Sequence, residues 1–430
     1  MPERLVISVR PEYAALLQRG TILLLAAYCL GQSLFPELER VLLWGEVIAC
    51  ALCWSILTIP YTTVLERKIT YGILLWIFFL PCYGLLITAL VWSDEAVSFF
   101  VLRHLALFYY ALFFFGGLQY GLQVIEFLAR YWILVVIGFL IQRLGFGAAG
   151  IAHSLFSGFL WIVCLAGRNT KGVFWGGIAG ILLIHLWGMT AGERATDVVI
   201  LLLFLSLPLL RFLKPVLLFR PQNRLVFAAY RVSLVCIFIG ALVGSAYITD
   251  FRVALMSAGQ PFTNSTGTFG ITDTGHWWRL FFASYLIDRF RDHPYGIGLG
   301  TPIFYGDLRD FIHFLPKAEE PYVVGAHNFI LTYLVRLGVV FLGVFAWLLS
   351  SVSRLIYEVV VRMGRRAFTA TPESRLVCAS LLAWGIALVQ SLFNVIIETP
   401  IYAGLFWFLF GLTVRFMSDY VARRTMPANG

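Results

Sequence analysis

The sequence carries little charge for its length. Only 13% of its 430 residues are charged, whereas 60% are hydrophobic and 16% are aromatic. Because an average soluble domain has roughly 25% charged residues, this composition excludes a soluble enzyme or a soluble binding module of this size. We therefore predict an all-α polytopic membrane protein.

Cysteine patterns and metal-binding motifs are also missing. The seven cysteines all lie in apolar segments, at positions 29, 50, 53, 82, 164, 236 and 378. This distribution argues against a disulfide framework and against a cysteine metal site. The chain also lacks H-E-x-x-H and D-x-D sequences, which hold many catalytic zinc and divalent cation sites. We expect neither a metal nor a cofactor.

The hydrophobic residues are concentrated in long runs. About twelve of these runs are long enough to cross a membrane as helices, since a span needs roughly 20 residues. The predicted spans cover residues 17–37, 40–60, 70–92, 98–121, 123–142, 149–167, 172–191, 196–212, 226–249, 327–350, 376–397 and 400–420. An even number of spans places both termini on the same side of the membrane.

The formal net charge of +9 follows from topology and does not require a nucleic-acid partner. Basic residues gather in alternate connections: at 67–68, 168–171, 211–224 and 354–375, and in the tail at 423–424. These connections share the side of the N-terminus, so the positive-inside rule predicts that both termini are cytoplasmic. The remaining connections face the outer side.

One outer connection is much longer than the others and divides the chain into three parts. Membrane helices 1–9 occupy residues 1–250, a loop occupies 251–326, and helices 10–12 with a cytoplasmic tail occupy 327–430. The loop has six basic and seven acidic residues, so it is close to neutral. Residues 276–293 have the pattern of an amphipathic interfacial helix, and 294–302 form a turn. The G-x-G-x-G within that turn follows a helix and lacks the spacing of a dinucleotide site.

Ionisable residues inside membrane segments often mark function, and here most of them lie toward the outer side. The group consists of Glu46, Arg103, His104, His153, His185, Arg194 and Glu398. Simpler roles remain open for several of them. Glu46 and Arg103 could form a structural ion pair or a cavity wall, and the three histidines could be interhelical hydrogen-bonding residues.

Two arginines and one histidine on the outer side would suit group transfer from a phosphate-bearing lipid. Arginine binds phosphate oxygens with a bidentate fork, and Arg194 and Arg279 are the candidates. A neutral histidine at a helix N-terminus can accept a proton from a hydroxyl, and His327 is the candidate. Two other interpretations stay open: Arg279 as an interfacial arginine, and His327 as a helix-end residue that caps a neighbour.

The C-terminal half resembles the bacterial O-antigen ligase and polymerase superfamily. Its H-[NSQ]-x9-G signature matches His327, Asn328 and Gly338, although Phe341 stands where the family usually has a small residue or tyrosine. The family's loop arginine, followed by a helix and a glycine-rich turn, matches Arg279, His293 and the segment "DHPYGIGLG".

Two further segments extend this resemblance to roughly residues 190–420. A second family arginine opens a membrane helix at an outer connection, as Arg194 does in "ERATDVVILLL". The segment at 391–412 is similar to the family's last two spans.

The resemblance implies a GT-C-like, metal-independent, inverting glycosyltransferase in the bacterial inner membrane, with its site facing the periplasm. The donor would be O-antigen on undecaprenyl pyrophosphate, and the acceptor would be lipid A–core oligosaccharide. By the family pattern, Arg194 and Arg279 would bind the pyrophosphate and His327 would be the catalytic base. Asn328, His293, Arg103 and Glu398 are possible supporting residues.

Other functions within and outside the superfamily remain open. An O-antigen polymerase would use a second O-antigen as acceptor, and a protein O-oligosaccharyltransferase would use a serine or threonine side chain. A polyprenyl-lipid flippase or transporter would also explain an outward polar cavity, although the chain shows no internal repeat of the kind common in transporters.

Overall fold

The computed structural model describes seven stretches of the chain: residues 11–34, 61–131, 153–166, 285–303, 328–363, 371–391 and 400–425. It also describes the isolated positions 48, 49, 52, 133, 137, 179, 283 and 397. Within these residues the fold is all-helical and contains no strand. The main helices are α1 (Pro11–Leu34), α2 (Val64–Val91), α3 (Ser98–Arg130), α4 (His153–Ala166), α5 (Phe329–Met363), α6 (Pro372–Ser391) and α7 (Pro400–Thr425).

Four of these helices, α2, α3, α5 and α7, are long and apolar enough to cross a membrane. The predicted helices at spans 1, 3, 6, 10, 11 and 12 are confirmed as helices, and the chain is a membrane protein by this criterion. Spans 7, 8 and 9 lie outside the described residues apart from position 179, as do most of span 2 and the second half of span 5 apart from positions 133 and 137.

Helix α2 contains a short wide turn in its middle. Its N-cap is Thr63, whose hydroxyl accepts a hydrogen bond from the Glu66 N–H at 3.1 Å. A π-helical turn then occupies Leu75–Phe79, just before Pro81. Proline has no N–H and its ring crowds the carbonyl four residues earlier, so the helix widens at this point without ending.

Helix α3 corrects one predicted boundary. We expected one span to end at residue 121 and the next to begin at 123, but the helix continues to Arg130 and ends at Tyr131. Its only irregularity is a 3-10 turn at Tyr110–Leu112. The segment after Gly121 consists mainly of good helix formers and contains no proline, so nothing in it stops the helix.

Helix α5 is interrupted, which the sequence did not predict. Gly338 has φ 60° and ψ −149°, so α5 consists of a segment that ends at Leu337 and a longer segment that begins at Val339. We call them the outer and inner segments, after the sides that the sequence predicts for them. The inner segment continues past the predicted end at residue 350 to Met363. The outer segment is the one that contains most of the H-N-x9-G signature.

Close helix contacts and a group of aromatic rings form the centre of the bundle. Helices α3 and α7 cross at two glycines, where a Cβ on Gly117 would collide with the Phe408 carbonyl and one on Gly411 with the Phe114 carbonyl. Small residues at a crossing let membrane helices approach closely. The buried Trp76 ring packs against three aromatic rings of α5 and α7, those of Tyr333, Phe341 and Trp407.

Polar contacts divide the helix ends into two groups. At one end of the bundle, the Arg415 guanidinium is 3.0 Å from the Glu66 carboxylate, and Arg362 donates to the Val421 carbonyl at 3.2 Å. The start of α2, the end of α5 and the end of α7 therefore lie together, as the predicted topology requires. Which side of the membrane this end faces stays a prediction.

Candidate functional site

The opposite end of the bundle is built around residues 294–300, which we call the glycine loop. Its backbone forms three hydrogen bonds with the interrupted part of α5. The Ile297 and Gly298 N–H groups donate to the Val335 and Arg336 carbonyls at 3.0 and 2.9 Å. The Val339 N–H donates to the Pro294 carbonyl at 2.9 Å. The G-x-G-x-G segment of the loop and the part of the H-N-x9-G segment that lies in α5 are thus bonded to each other.

These bonds replace those that α5 loses at Gly338. In an uninterrupted helix the Val335 carbonyl would accept from the Val339 N–H, and the Arg336 carbonyl would accept from the Val340 N–H. The positive φ of Gly338 breaks that pattern. Because buried backbone groups at membrane depth must be satisfied by protein, the glycine loop supplies the missing donors and the missing acceptor.

The fit between the loop and α5 requires glycine on both sides. A Cβ on Gly338 would collide with the Pro294 carbonyl, and a Cβ on Gly296 would collide with the Arg336 carbonyl. Gly296 also has a positive φ of 97°. Any other residue at either position would therefore push the loop away from the helix and strain its own backbone.

The far side of the glycine loop is attached to α2 and α3. The Leu299 N–H donates to the Thr88 hydroxyl at 2.7 Å, and the Thr88 oxygen also lies 2.9 Å from the Leu299 carbonyl. The Gly300 N–H donates to Nδ1 of His104 at 2.8 Å, and the Gly300 carbonyl accepts from the Val97 N–H at 3.1 Å. The loop is therefore held between three helices.

The contact with Gly300 determines where His104 carries its proton. Because Nδ1 accepts a hydrogen bond from an N–H group, it must present a lone pair, and the ring proton is on Nε2. The side chain is 5% exposed. Of the roles left open for His104, the structure shows a hydrogen-bonding one, but its partner is the loop backbone and not another helix.

Arg336 is a buried cation within the outer segment of α5. Its side chain is 2% exposed, and its guanidinium lies 3.5 Å from the Gly298 carbonyl and 3.4 Å from the Thr301 carbonyl. The same residue accepts the Gly298 N–H through its own carbonyl. Arg336 therefore holds the loop through both its backbone and its side chain.

A polar and aromatic cluster joins the loop to the end of α2. Residues 285–292 form a helix that leads into the glycine loop. Its Arg289 lies over the Trp92 ring, 5.5 Å from the ring centroid, and its guanidinium is 3.2 Å from Nε2 of His293. The His293 ring meets the Trp92 ring edge-on, with 4.9 Å between centroids.

The cluster disfavours protonation of His293. Burial and then the positive charge of Arg289 lower the pKa of His293, while Asp292 and Glu95 oppose the change. Since arginine can only donate, Nε2 of the imidazole must be the acceptor in their contact. His293 thus links the helix at 285–292 to the beginning of the glycine loop.

Asn328 has a clear structural role. Its side-chain oxygen accepts the Leu331 N–H at 3.3 Å, and its carbonyl accepts the Thr332 N–H at 3.1 Å. This is the pattern of an N-cap, so α5 begins at Phe329. His327 is the residue immediately before the cap, and its own position lies outside the described residues.

The other predicted site residues are placed only in part. Arg103 is exposed on α3, next to the buried His104. His153 begins α4, but its side chain is outside the described part. Six of the predicted residues lie outside the described part of the chain altogether: Glu46, His185, Arg194, Arg279, His327 and Glu398. In the parts of the chain that the structure describes, no group of histidine, cysteine or acidic residues could hold a metal.

Sequence reasoning missed Thr88, Trp92 and Arg336. A usable signal existed only for Arg336, because an arginine nine residues into a predicted span is an intramembrane charge. Thr88 is an ordinary residue near a helix end, and Trp92 has the pattern of an interfacial anchor. Their roles depend on a loop about 200 residues later in sequence.

Comparisons with known proteins do not identify a family for this chain. No protein-family model matches it, and no curated protein matches it.

Proposed function

We propose that this protein is an O-antigen ligase of the bacterial inner membrane, with its site on the periplasmic side. It transfers O-antigen polysaccharide from undecaprenyl pyrophosphate to a hydroxyl of lipid A–core oligosaccharide. The proposal includes about twelve membrane spans and a GT-C-like architecture, of which the described helices form a part. It rests on the family resemblance and on the arrangement of the glycine loop.

One observation supports the proposal most directly. The H-N-x9-G and G-x-G-x-G segments lie about 40 residues apart in sequence, yet Gly338 and Gly296 are in contact and the segments share three hydrogen bonds. A chance match to two short motifs would not require them to meet. Their contact is expected if the segments together build one site near the start of α5.

The proposed chemistry needs three side chains. His327 takes the proton of the acceptor hydroxyl as its oxygen attacks the anomeric carbon of the donor sugar. The bond from that carbon to the pyrophosphate oxygen breaks, with inversion, and undecaprenyl pyrophosphate leaves. Arg194 and Arg279 bind the pyrophosphate and stabilise the charge that develops on it. The proton stays on His327 and then passes to water.

The N-cap at Asn328 favours this role for His327. The residue before the cap lies near the positive end of the α5 dipole, where a protonated imidazole is disfavoured. A neutral imidazole is the form that a general base requires. Asn328 fixes the first turn of α5 through its own side chain, so the chain next to His327 has a defined direction.

A lipopolysaccharide gel from a deletion strain tests the proposed function. Loss of a ligase leaves bare lipid A–core in the gel, while polymerised O-antigen accumulates on undecaprenyl pyrophosphate. Core that carries one O-unit would instead identify a polymerase. Unchanged lipopolysaccharide together with loss of glycan from a periplasmic protein would identify a protein O-oligosaccharyltransferase, and absence of periplasmic lipid-linked glycan would identify a flippase.

A further inference from the structure

We propose that His104 is a positioning residue for glycan transfer, acting through the glycine loop on the outer segment of α5. The reaction in this inference rests on the proposed function. The connection from His104 to α5 rests on the contacts described above. His104 does not touch the reacting groups in this account. It fixes one end of a chain of contacts whose other end is Asn328, the residue next to the proposed base.

The first link joins α3 to Gly300. Gly300 is held through both of its backbone groups, since its N–H donates to Nδ1 of His104 and its carbonyl accepts from Val97. A Cβ at Gly300 would collide with the Val101 side chain. The loop therefore lies directly against the start of α3, with no room for another residue type at this point.

The second link joins the loop to the outer segment of α5. That segment is separated from the inner segment by the break at Gly338, so it lacks the continuous helical hydrogen bonds that would fix its direction. The glycine loop supplies bonds on both sides of the break, to Val335, Arg336 and Val339. The position of Asn328 thus depends on where the loop is held, and α3 is one of its supports.

The Nδ1 acceptor is the property of His104 that this link requires. A buried N–H without an acceptor is costly, so the Gly300 N–H would leave its place if the acceptor were removed. Asparagine places its Oδ1 close to the position of Nδ1 and can accept the same hydrogen bond. Leucine has the same branching at Cγ as asparagine but no acceptor. Glutamine places its amide near the position of Nε2.

The first test compares His104→Asn, His104→Leu and His104→Gln in transfer assays with purified protein. We expect His104→Leu to lower kcat by up to about 100-fold, the cost of a misplacement of about 1 Å. The KM for the lipid-linked donor should change little, because the pyrophosphate-binding arginines are untouched. His104→Asn should recover most of kcat. Wild-type kcat in His104→Leu, or recovery in His104→Gln but not in His104→Asn, would overturn the proposal.

The second test does not need transfer activity. Amide hydrogen exchange in lipid nanodiscs should show faster exchange at 297–300 and at 335–339 in His104→Leu than in the wild type or in His104→Asn. If His104→Leu does not fold, Thr88→Val takes its place in this test. It removes the neighbouring hydrogen bond at Leu299 and should have the same effect on exchange. Unchanged exchange at 335–339 in a folded variant would overturn the link. Changed exchange together with an inactive wild type would instead count against the proposed function.

Discussion

Gly338 and Gly296 lie backbone to backbone, although they belong to different parts of the chain. A Cβ on Gly338 would be 2.7 Å from the Gly296 nitrogen, and one on Gly296 would be 2.9 Å from the Gly338 nitrogen. Real Cβ atoms do not approach other atoms so closely. This contact defines the architecture of the site, because it joins the loop to the interruption in α5.

Gly338→Ala should therefore be much more damaging than a glycine-to-alanine change elsewhere in α5. Its φ and ψ lie in a region open almost only to glycine, which costs another residue about 1–3 kcal/mol, and its Cβ would collide with the loop. Gly343→Ala is the matched control, since nothing lies within 4 Å of a Cβ there. Alanine at that position should stabilise the protein by up to about 1 kcal/mol.

Unfolding of both variants in mixed micelles by SDS titration measures this difference. Gly338→Ala should unfold at a clearly lower SDS fraction than the wild type, and Gly343→Ala at the same or a higher one. Equal effects of the two substitutions would show that the interruption in α5 has no special role.

A second prediction concerns the ion pair at the other end of the bundle. Glu66 is fully buried and accepts hydrogen bonds from the Thr62 N–H and hydroxyl as well as from Arg415. Arg415→Met leaves that carboxylate without its cation and should lower the free energy of unfolding by about 3 kcal/mol. The double variant Glu66→Gln/Arg415→Met should lose less, because no buried charge remains.

Arg423→Met is the control for this prediction. Arg423 is 69% exposed on its side chain and lies 3.9 Å from Glu373, so its loss should cost less than about 1 kcal/mol. The free energies of unfolding of all variants are compared under the same micelle conditions. A double variant that is as unstable as Arg415→Met, or more so, would contradict a coupled pair.

The His293 cluster should make the protein sensitive to acid. The pKa of His293 is lowered from its ordinary value of 6.5, so the folded protein binds this proton less readily than the unfolded chain does. Stability is then unaffected by this group at high pH and falls as the pH drops below about 6.5. The protonated ring could no longer accept from Arg289, and the two cations would repel each other.

Thermal unfolding of the wild type and of His293→Gln between about pH 8 and pH 5 isolates this contribution. Glutamine can accept from Arg289 without titrating, so its curve should be flatter on the acid side. Parallel curves for the two proteins would show that His293 contributes nothing to the acid response.

Local pattern was enough to predict most of the described helices but not the contacts of the glycine loop. The spans at α2, α5 and α7 were predicted because each is a long apolar run, and a run of that kind has few alternatives in a membrane. The boundary predicted between spans 4 and 5 was wrong, because the helix continues through Gly121 to Arg130. In the structure Gly121 instead accommodates the Leu412 side chain, a contact with α7.

The site depended on contacts that sequence alone does not show. The sequence around Gly338 does not predict a positive φ, because a lone glycine in an apolar run usually continues the helix. His104 was recognised as a polar residue in a span, but its partner, Gly300, is 196 residues away. Asn328 was singled out only through the family signature, and its capping role follows from the point at which α5 begins.

Reconstituted transfer tests the central claim most directly. Purified protein in liposomes would receive undecaprenyl-pyrophosphate-linked O-antigen and lipid A–core oligosaccharide in the presence of EDTA, and product would be followed on a gel. The account predicts lipopolysaccharide from the wild type, and none from His327→Ala although that variant still binds the donor. No transfer by the folded wild type, loss of transfer caused by EDTA, or full transfer by His327→Ala would contradict it.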